Sequence, residues 1–566
     1  MTTSEPDLPP YDPERILSAP FSERVRLACI DWANESPNQP AVMALYWAKY
    51  FFGLIGGWSI LCMFNADYAG FTNVLDWAFT PDAFRKAVVW SMFWELAGFG
   101  CGWGPMNARF GPAFGGFHHF AKTGTIKLPL FRGAPLIGGD TRNWLDVAAY
   151  VVTELLLFRV LISPEVTGEL LFPCFLAIPI LGVLDKTLFL VARSEHYWVA
   201  MTCMTFAVIA GLPHEGDLWV SFCKWIWGFI WFWAAASKLN SHFAYVIMFM
   251  MNNGPFFPKI LKKRLFKSYP DDLRPSTFAT FMAHFGSSNE FLIPLILLTS
   301  TNEIQTLIGL ILMTGFHSFI GLNNPNGMPV EWNILMIYGG WFLFGFNMEA
   351  APLAVLELPL LAAFVVFMMF CIPLFGNFVP KRVSFLLSMR YYAGNWMYNI
   401  WLFKKGDSVE KLKKLKKNTG TVREQMAKFI DDPDQLEIMC NVNMLVSRFM
   451  HFQGRPLLEA LPKAVDHIDN YDWYEGEVLG GSILGWNFGD GHLNGIQLLQ
   501  AIQPICGFEE GELRVISVES QPLFGPKMNW KVYDAATGLI EEGDTVMRDY
   551  HGVQPYPTGE FAQALD

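Results

Sequence analysis

Charge is what this sequence lacks most. Only 16% of its 566 residues are Asp, Glu, Lys or Arg, against about a quarter in an ordinary soluble domain. The deficit is concentrated in residues 44–376. That excludes a wholly water-soluble chain and predicts a polytopic membrane region followed by a soluble one. The nine cysteines are scattered and form no CxxC pair, and Cys62, Cys101, Cys203 and Cys371 lie inside apolar segments. Neither a disulfide framework nor a structural zinc site is supported. The eleven histidines form no HxxxH or HxxHH cluster, which removes metal hydroxylase and desaturase chemistry and leaves no metal centre to expect. A net charge of −11 offers no basic footprint for nucleic acid. The first apolar segment begins near Met43, after an acidic and Pro-rich stretch, which is the wrong setting for a cleaved signal peptide.

What is present is apolar and aromatic, 52% and 16% of the chain. A bilayer span needs about 20 mostly apolar residues. Ten segments qualify on reading: 46–64, 87–105, 144–162, 170–190, 196–212, 218–237, 286–302, 304–323, 332–347 and 353–376. The linkers alternate in charge. One set carries Arg24, Arg26, Lys122, Lys127, Arg132, Arg142, Lys186, Arg193 and the run from Lys259 to Arg274. The other set reads "SPEVTGE", "PHEGD", "STNE" and "NMEAA". Positive linkers stay cytoplasmic, so both termini are expected in the cytoplasm and the chain in the cell inner membrane as a multi-pass protein. The fold class expected is an all-α polytopic membrane bundle of about ten transmembrane helices with a C-terminal cytoplasmic α+β domain. Its divisions are 1–43 (cytoplasmic segment), 44–376 (transmembrane), 377–470 (cytoplasmic, helical) and 471–566 (small and β-rich).

Three stretches resist that scheme. Residues 241–253 are too short to span and are expected as an interfacial helix. Residues 104–143, rich in Gly and Phe, read as a re-entrant or surface-lying loop; its His118 and His119 are either interfacial rings or ligands gating a pocket. "GWNFGDGHLNG" precedes the helix "IQLLQAI" but lacks the lysine of a P-loop, and reads as a glycine-rich turn. "SVEKLKKLKK" and the residues after it read as amphipathic helix. "RVISVES" and "MNWKVYDAATGLIEEGDTVMRDY" read as strands, the second with a turn at Thr537-Gly538.

Ionisable residues inside spans are costly and mark a functional site or a buried pair. Glu95, Glu154 and Arg159 read as a pairing set. Four others match in depth two by two, the second pair lying further inside than the first. His196 and Lys238 each stand roughly twenty residues from the turn "LPHEGD". Glu290 and His317 each stand about 13 or 14 residues from Asn302-Glu303, which at about 1.5 Å per residue is one level. Lys238, His196, Glu290 and His317 are therefore candidates for one cavity, Lys238 as a base once desolvated among aromatic residues. Ser237, His242, His284, Asn323 and Asn324 lie close enough in sequence to contact a substrate. Snorkelling at a helix end is the bland alternative for Lys238 and His196.

"LDKTLFLVARSEHYW" (184–198) and "FWAAASKLNSHF" (232–243) resemble the membrane core of vitamin K-dependent gamma-carboxylases and their bacterial relatives, the horizontally transferred transmembrane (HTTM) proteins. "MAHFGSSNEFLIP" and "GFHSFIGL" are similar to that family's acid-bearing and histidine-bearing helices. The resemblance spans roughly residues 140–350. It implies that Lys238 is the base toward a reduced quinone and that His196 supports it. The family's large external β-rich domain is not recognisable here, and its site faces the lumen, so the resemblance implies a shared core rather than glutamate carboxylation. The whole chain also looks like a bacterial transmembrane family of unknown function. Three functions compete: an enzyme acting on a quinone or lipid, with a quinone as possible cofactor; a non-enzymatic lipid-binding, transport or scaffold protein; and an acyltransferase using His317. The expected partners are membrane lipids and an apolar small molecule, with no nucleic acid.

Overall fold

The computed structural model describes residues 13–35, 40–65, 67–68, 70–100, 115–209, 215–323, 329–486 and 488–566. Four of its helices are long and apolar enough to cross a membrane: Leu218–Ala236, Thr277–Thr299, Glu303–Gly321 and Pro359–Phe378. The first is the centre of the bundle, with 83% of its apolar window buried; in the other three the share is 28–33%. Their outward faces carry Leu292, Leu295, Ile304, Leu307, Ile308, Ile311 and Phe367, apolar surface of the kind lipid covers.

The expectation of about ten spans is corrected here. Most of the remaining apolar runs do form helices, but shorter or more charged ones than a bilayer asks for. The run 87–105 belongs to Pro81–Leu96, which Thr80 caps; its 16 residues reach only about 24 Å. The run 170–190 ends at Leu184, where Asp185 caps a new short helix. The described part of the run 196–212 is the helix Tyr197–Ile209, and residues 210–212 lie outside the described residues. Trp144–Ile162 has the right length but carries Asp146, Glu154 and Arg159. Apolar composition cannot separate a helix buried in protein from one immersed in lipid, and residues of these shorter helices are buried in protein: Val88, Met92, Cys174, Ile178, Val199 and Met201 have almost no exposed surface. Nor does the expected pairing set form, since Glu95 lies beside Glu331.

The basic linkers gather on one side, against the C-terminal region. Arg132 donates to Gln500 (2.7 Å), Lys186 to Gln497 and Arg274 to the Gly552 carbonyl (2.8 Å). The N-terminal helix Phe21–Asn34 joins them, with Ser22 bonded to Asp566. At the other end of the bundle Arg85 donates to the Val166 carbonyl (2.9 Å) and Lys224 to the Ala350 carbonyl (2.6 Å). The expected interfacial helix forms over Phe243–Asn253, but nine of its eleven residues are buried. It is an internal strut, packed between Thr277–Thr299 and the C-terminal region.

Beside that strut lies a two-stranded hairpin, β1 (Phe266–Ser268) and β2 (Asp272–Pro275). The C-terminal region holds a five-stranded antiparallel sheet in the order β4-β3-β5-β6-β7. Its strands are β3 (Tyr398–Lys404), β4 (Tyr471–Glu475), β5 (Leu513–Val518), β6 (Lys527–Asp534) and β7 (Gly538–Val546). The three last match the strands read from the sequence. β3 does not: it lies among residues expected to be helical, so the sheet draws on both sides of residue 470. Six of its seven residues are buried. Trp401 and Phe403 enter one core cluster, Ile400 and Leu402 the other. A strand covered on both faces loses the alternation that would betray it. The "SVEKLKKLKK" stretch is not one amphipathic helix either. It forms a short 3-10 turn, Val409–Lys414, from which Lys411 donates to both Glu512 and the Gly507 carbonyl.

A tight loop ties the last span to the sheet. The buried Arg390 donates to the Asn377 carbonyl (2.6 Å) and Asn395 to the Gln521 carbonyl (2.8 Å). Gly394 has φ +68°, and a Cβ there would sit 2.2 Å from Val246 Cγ2. Gly394→Ala should therefore destabilise the protein by about 2 kcal/mol, read as a lower melting temperature. An unchanged melt would show that the strut yields at Val246.

Candidate functional site

Lys238 follows the central helix by two residues and is buried. Its Nζ donates to Glu290 of the Thr277–Thr299 helix at 2.5 Å, and both side chains are nearly inaccessible (3% and 5%). The same Nζ lies 4.7 Å from the Phe243 ring centroid, where the π face offers a cation-attracting surface. Lys238 is therefore no snorkelling end residue, because its ammonium points into protein.

Lys238 forms part of the wall of two cavities. The first, about 300 Å³, lies among Phe243–Asn253, Thr277–Thr299 and Glu303–Gly321, lined by Met250, Met282, Phe285, Ile311, Phe316 and others. Among the described residues, Lys238 is the one charged residue in its wall. Gly315 opens onto it, and a Cβ there would meet nothing within 4 Å. The second, about 550 Å³, is polar and reaches Lys267, Arg274, His284 and His551.

His317 stands close enough to Lys238 to feel its charge, but does not line either cavity. Trp231 Nε1 donates to His317 Nε2 (2.8 Å), and Nδ1 meets Asn333 Oδ1 at 2.9 Å. An indole can only donate, so Nε2 is the acceptor and Nδ1 carries the proton. Both ring nitrogens are thus engaged. His196 is elsewhere. Its Nδ1 lies 3.4 Å from Glu195 and 3.5 Å from the Tyr391 hydroxyl, with Trp332 against the ring. No contact joins it to Lys238, which corrects the expected pairing. Equal depth along two helices fixes height but not azimuth, and Arg193, Glu195 and Tyr391 draw the imidazole to another face.

The neighbours expected at the site divide similarly. Ser237 turns its hydroxyl back to the Ala234 carbonyl (3.0 Å). His242 bonds Gln521 Oε1 (2.7 Å), since the Gln521 amide donates to the Gly525 carbonyl; burial lowers its pKa to about 4. It is a joint to the C-terminal region. His284 lines the polar cavity beside Lys238. Asn323 bonds the Phe319 carbonyl of its own helix (2.5 Å), and Asn324 lies outside the described residues. His118 is exposed and His119 buried against Arg142, so the adjacent histidines do not act together. Among the described residues no cluster of His, Cys, Asp or Glu could hold a metal ion.

Sequence reading missed a third cavity, about 330 Å³, between the strut and the C-terminal region. Trp332, Phe385, Trp396 and Phe488 line it together with Arg448, His451, Glu475 and Glu477. It adjoins the Lys238 cavity across Met250 and Tyr392, which line both. Arg448 donates to Glu475 (2.6 Å) and lies 3.6 Å from Glu477. Burial, then the charge of Glu475, raises the Glu477 pKa to about 8, with Arg448 opposing. The signal for it was faint: "YDWYEGE" places two acids two residues apart beside aromatics, a pattern common on ordinary strands.

No curated protein and no solved structure matches this chain. A family model does, over residues 1–565, and its description agrees with the lipid-grade helices around the buried Lys238–Glu290 pair: the chain belongs to the family described as transmembrane protein of unknown function (DUF3556).

Proposed function

We propose that this membrane protein binds an apolar or amphiphilic molecule of the quinone or lipid class in the Lys238 cavity. The observation that carries the reading is the ion pair itself: among the described residues, the one charged side chain in a largely apolar wall is a lysine bonded to a buried glutamate. A buried charge pair is a poor way to gain stability, and intramembrane charge marks function by default. On this reading the pair exchanges protons with the ligand. Lys238 passes a proton to Glu290, leaving an amine and a carboxylic acid; the amine then takes the proton of a ligand hydroxyl. The resemblance of 184–198 and 232–243 to the carboxylase core assigns the matching lysine that part. The acyltransferase reading is weaker, because neither nitrogen of His317 is free. The gathering of basic linkers around the C-terminal region supports cytoplasmic termini and an inner-membrane location, which a reporter fused after Asp566 tests.

The ligand test uses mass spectrometry of lipids and quinones co-purifying with the chain. Gly315→Leu sends a side chain toward the apolar cavity from a position where a Cβ meets nothing within 4 Å, and replaces glycine with a better helix former. It should leave folding intact and lower the bound ligand about tenfold or more. Unchanged ligand content would remove the cavity from the function. Lys238→Arg separates base from anchor, because guanidinium keeps its proton at any usable pH. Ligand should be retained while any turnover disappears. Full turnover in the arginine variant would end the base reading and leave a lipid-binding protein.

A further inference from the structure

The apolar cavity is closed at Lys238 by a second space of opposite character. The two share Lys238 and Phe243 in their walls. Apart from the phenol of Tyr245, every ionisable residue lining the second, among the described residues, is basic or a histidine: Lys238, Lys267, Arg274, His284 and His551. No carboxylate reaches its surface. Asp272 sits behind Arg274, bonded to Nε at 2.9 Å, and Glu290 sits behind Lys238. Lys267 keeps 59% of its side-chain surface exposed and approaches Asp272 only to 3.9 Å, so one cation is left over. The hydroxyl-bearing Thr277 and Thr280 line the same space from the first turn of the 23-residue helix that Ser276 caps. The N–H groups and dipole of that turn favour negative charge. The cavity lies beside the basic run from Lys259 to Arg274, a position and charge suited to anionic headgroups.

We infer that this basic cavity holds the anionic head of an amphiphile, a phosphate- or carboxylate-headed lipid, whose tail occupies the apolar cavity beyond Lys238. The inference rests on the ligand reading above and narrows it to one class. A free anion would use only half of the arrangement. The apolar half adds affinity with every buried methylene, about fourfold each. Lys238 stands at the junction, its ammonium between head and tail.

The test compares dodecyl phosphate, dodecanol and inorganic phosphate, each titrated into the full chain in neutral-lipid nanodiscs and read against empty discs. Dodecyl phosphate should bind at least tenfold more tightly than dodecanol and at least a hundredfold more tightly than inorganic phosphate. Raising ionic strength from about 0.05 to about 0.5 M should weaken the phosphate amphiphile and leave dodecanol unchanged. Lys267→Glu, on the exposed β1 strand, should weaken dodecyl phosphate about tenfold without touching dodecanol. Gly315→Leu should weaken both. Dodecyl phosphate and dodecanol binding alike, or Lys267→Glu without effect in a protein of normal melting temperature, overturns the headgroup site and leaves the apolar pocket standing. Inorganic phosphate binding as tightly as the amphiphile overturns it in favour of a free anion. Gly315→Leu without effect on either amphiphile defeats the pocket itself. If Lys267→Glu does not fold, the salt dependence of the wild type decides.

Discussion

Glu290→Ala should cost this protein roughly 3–5 kcal/mol of stability, the usual consequence of stranding one charge of a buried pair. Lys238 would keep its ammonium in a wall of Phe243, Met250 and Phe316, with only the Phe243 ring to attract it. Its alternatives are to lose the proton or to pull water into the apolar cavity. The double variant Lys238→Met with Glu290→Leu should recover most of the loss, because the desolvation cost of both ions disappears together. Melting of the wild type, the single and the double variant in one detergent measures this. A single variant as stable as wild type would mean that the pair is hydrated and the pocket wet. A double variant as unstable as the single would mean that the site depends on shape rather than on charge. Stability restored together with lost ligand would separate what the pair does for function from what it does for the fold.

The second large effect lies in the C-terminal region. His492 in the Gly-rich loop stands between Asp490 (3.5 Å) and Glu519 (3.1 Å), and Ser384 donates to Asp490. Burial works to lower its pKa, but Glu519 and Asp490 outweigh that and raise it to about 10. Its ordinary value in an unfolded chain is about 6.5. A group raised on folding binds its proton more tightly in the native state. Its contribution is therefore complete below about pH 6.5 and is lost as pH climbs through about 10. Roughly 5 kcal/mol is the upper limit at stake across that window. His492→Gln should be less stable than wild type at pH 6 and indistinguishable from it near pH 10.5. Parallel stability curves over the whole range would mean that His492 is neutral in the fold and the two carboxylates are held some other way.

Sequence composition by itself determined the class of this protein. An apolar, weakly charged block of some 330 residues cannot remain in water, and the basic linkers picked out by charge include Arg132, Lys186 and Arg274, which bond the C-terminal region. β5, β6 and β7 were legible because one side alternates or the turn at Gly538 is explicit. Lys238 and Glu290 were legible as intramembrane ionisable residues facing one cavity, but depth along the hairpins matched Lys238 with His196 and Glu290 with His317; the Lys238–Glu290 ion pair itself came from the fold. The number of spans was not legible, because hydrophobicity reports exclusion from water and is silent on whether protein or lipid does the excluding. β3 was hidden for the same reason, being covered on both faces.

Only the tertiary structure decided the rest. It assigned His196 to Glu195 and Tyr391, since azimuth around a helix depends on neighbours remote in sequence. It engaged both nitrogens of His317 through Trp231 and Asn333. It turned Phe243–Asn253 from a surface helix into an internal strut by folding the C-terminal region over it. Above all it produced the cavities on either side of Lys238. A cavity is the space that packed side chains leave unfilled, and no single stretch of chain encodes it.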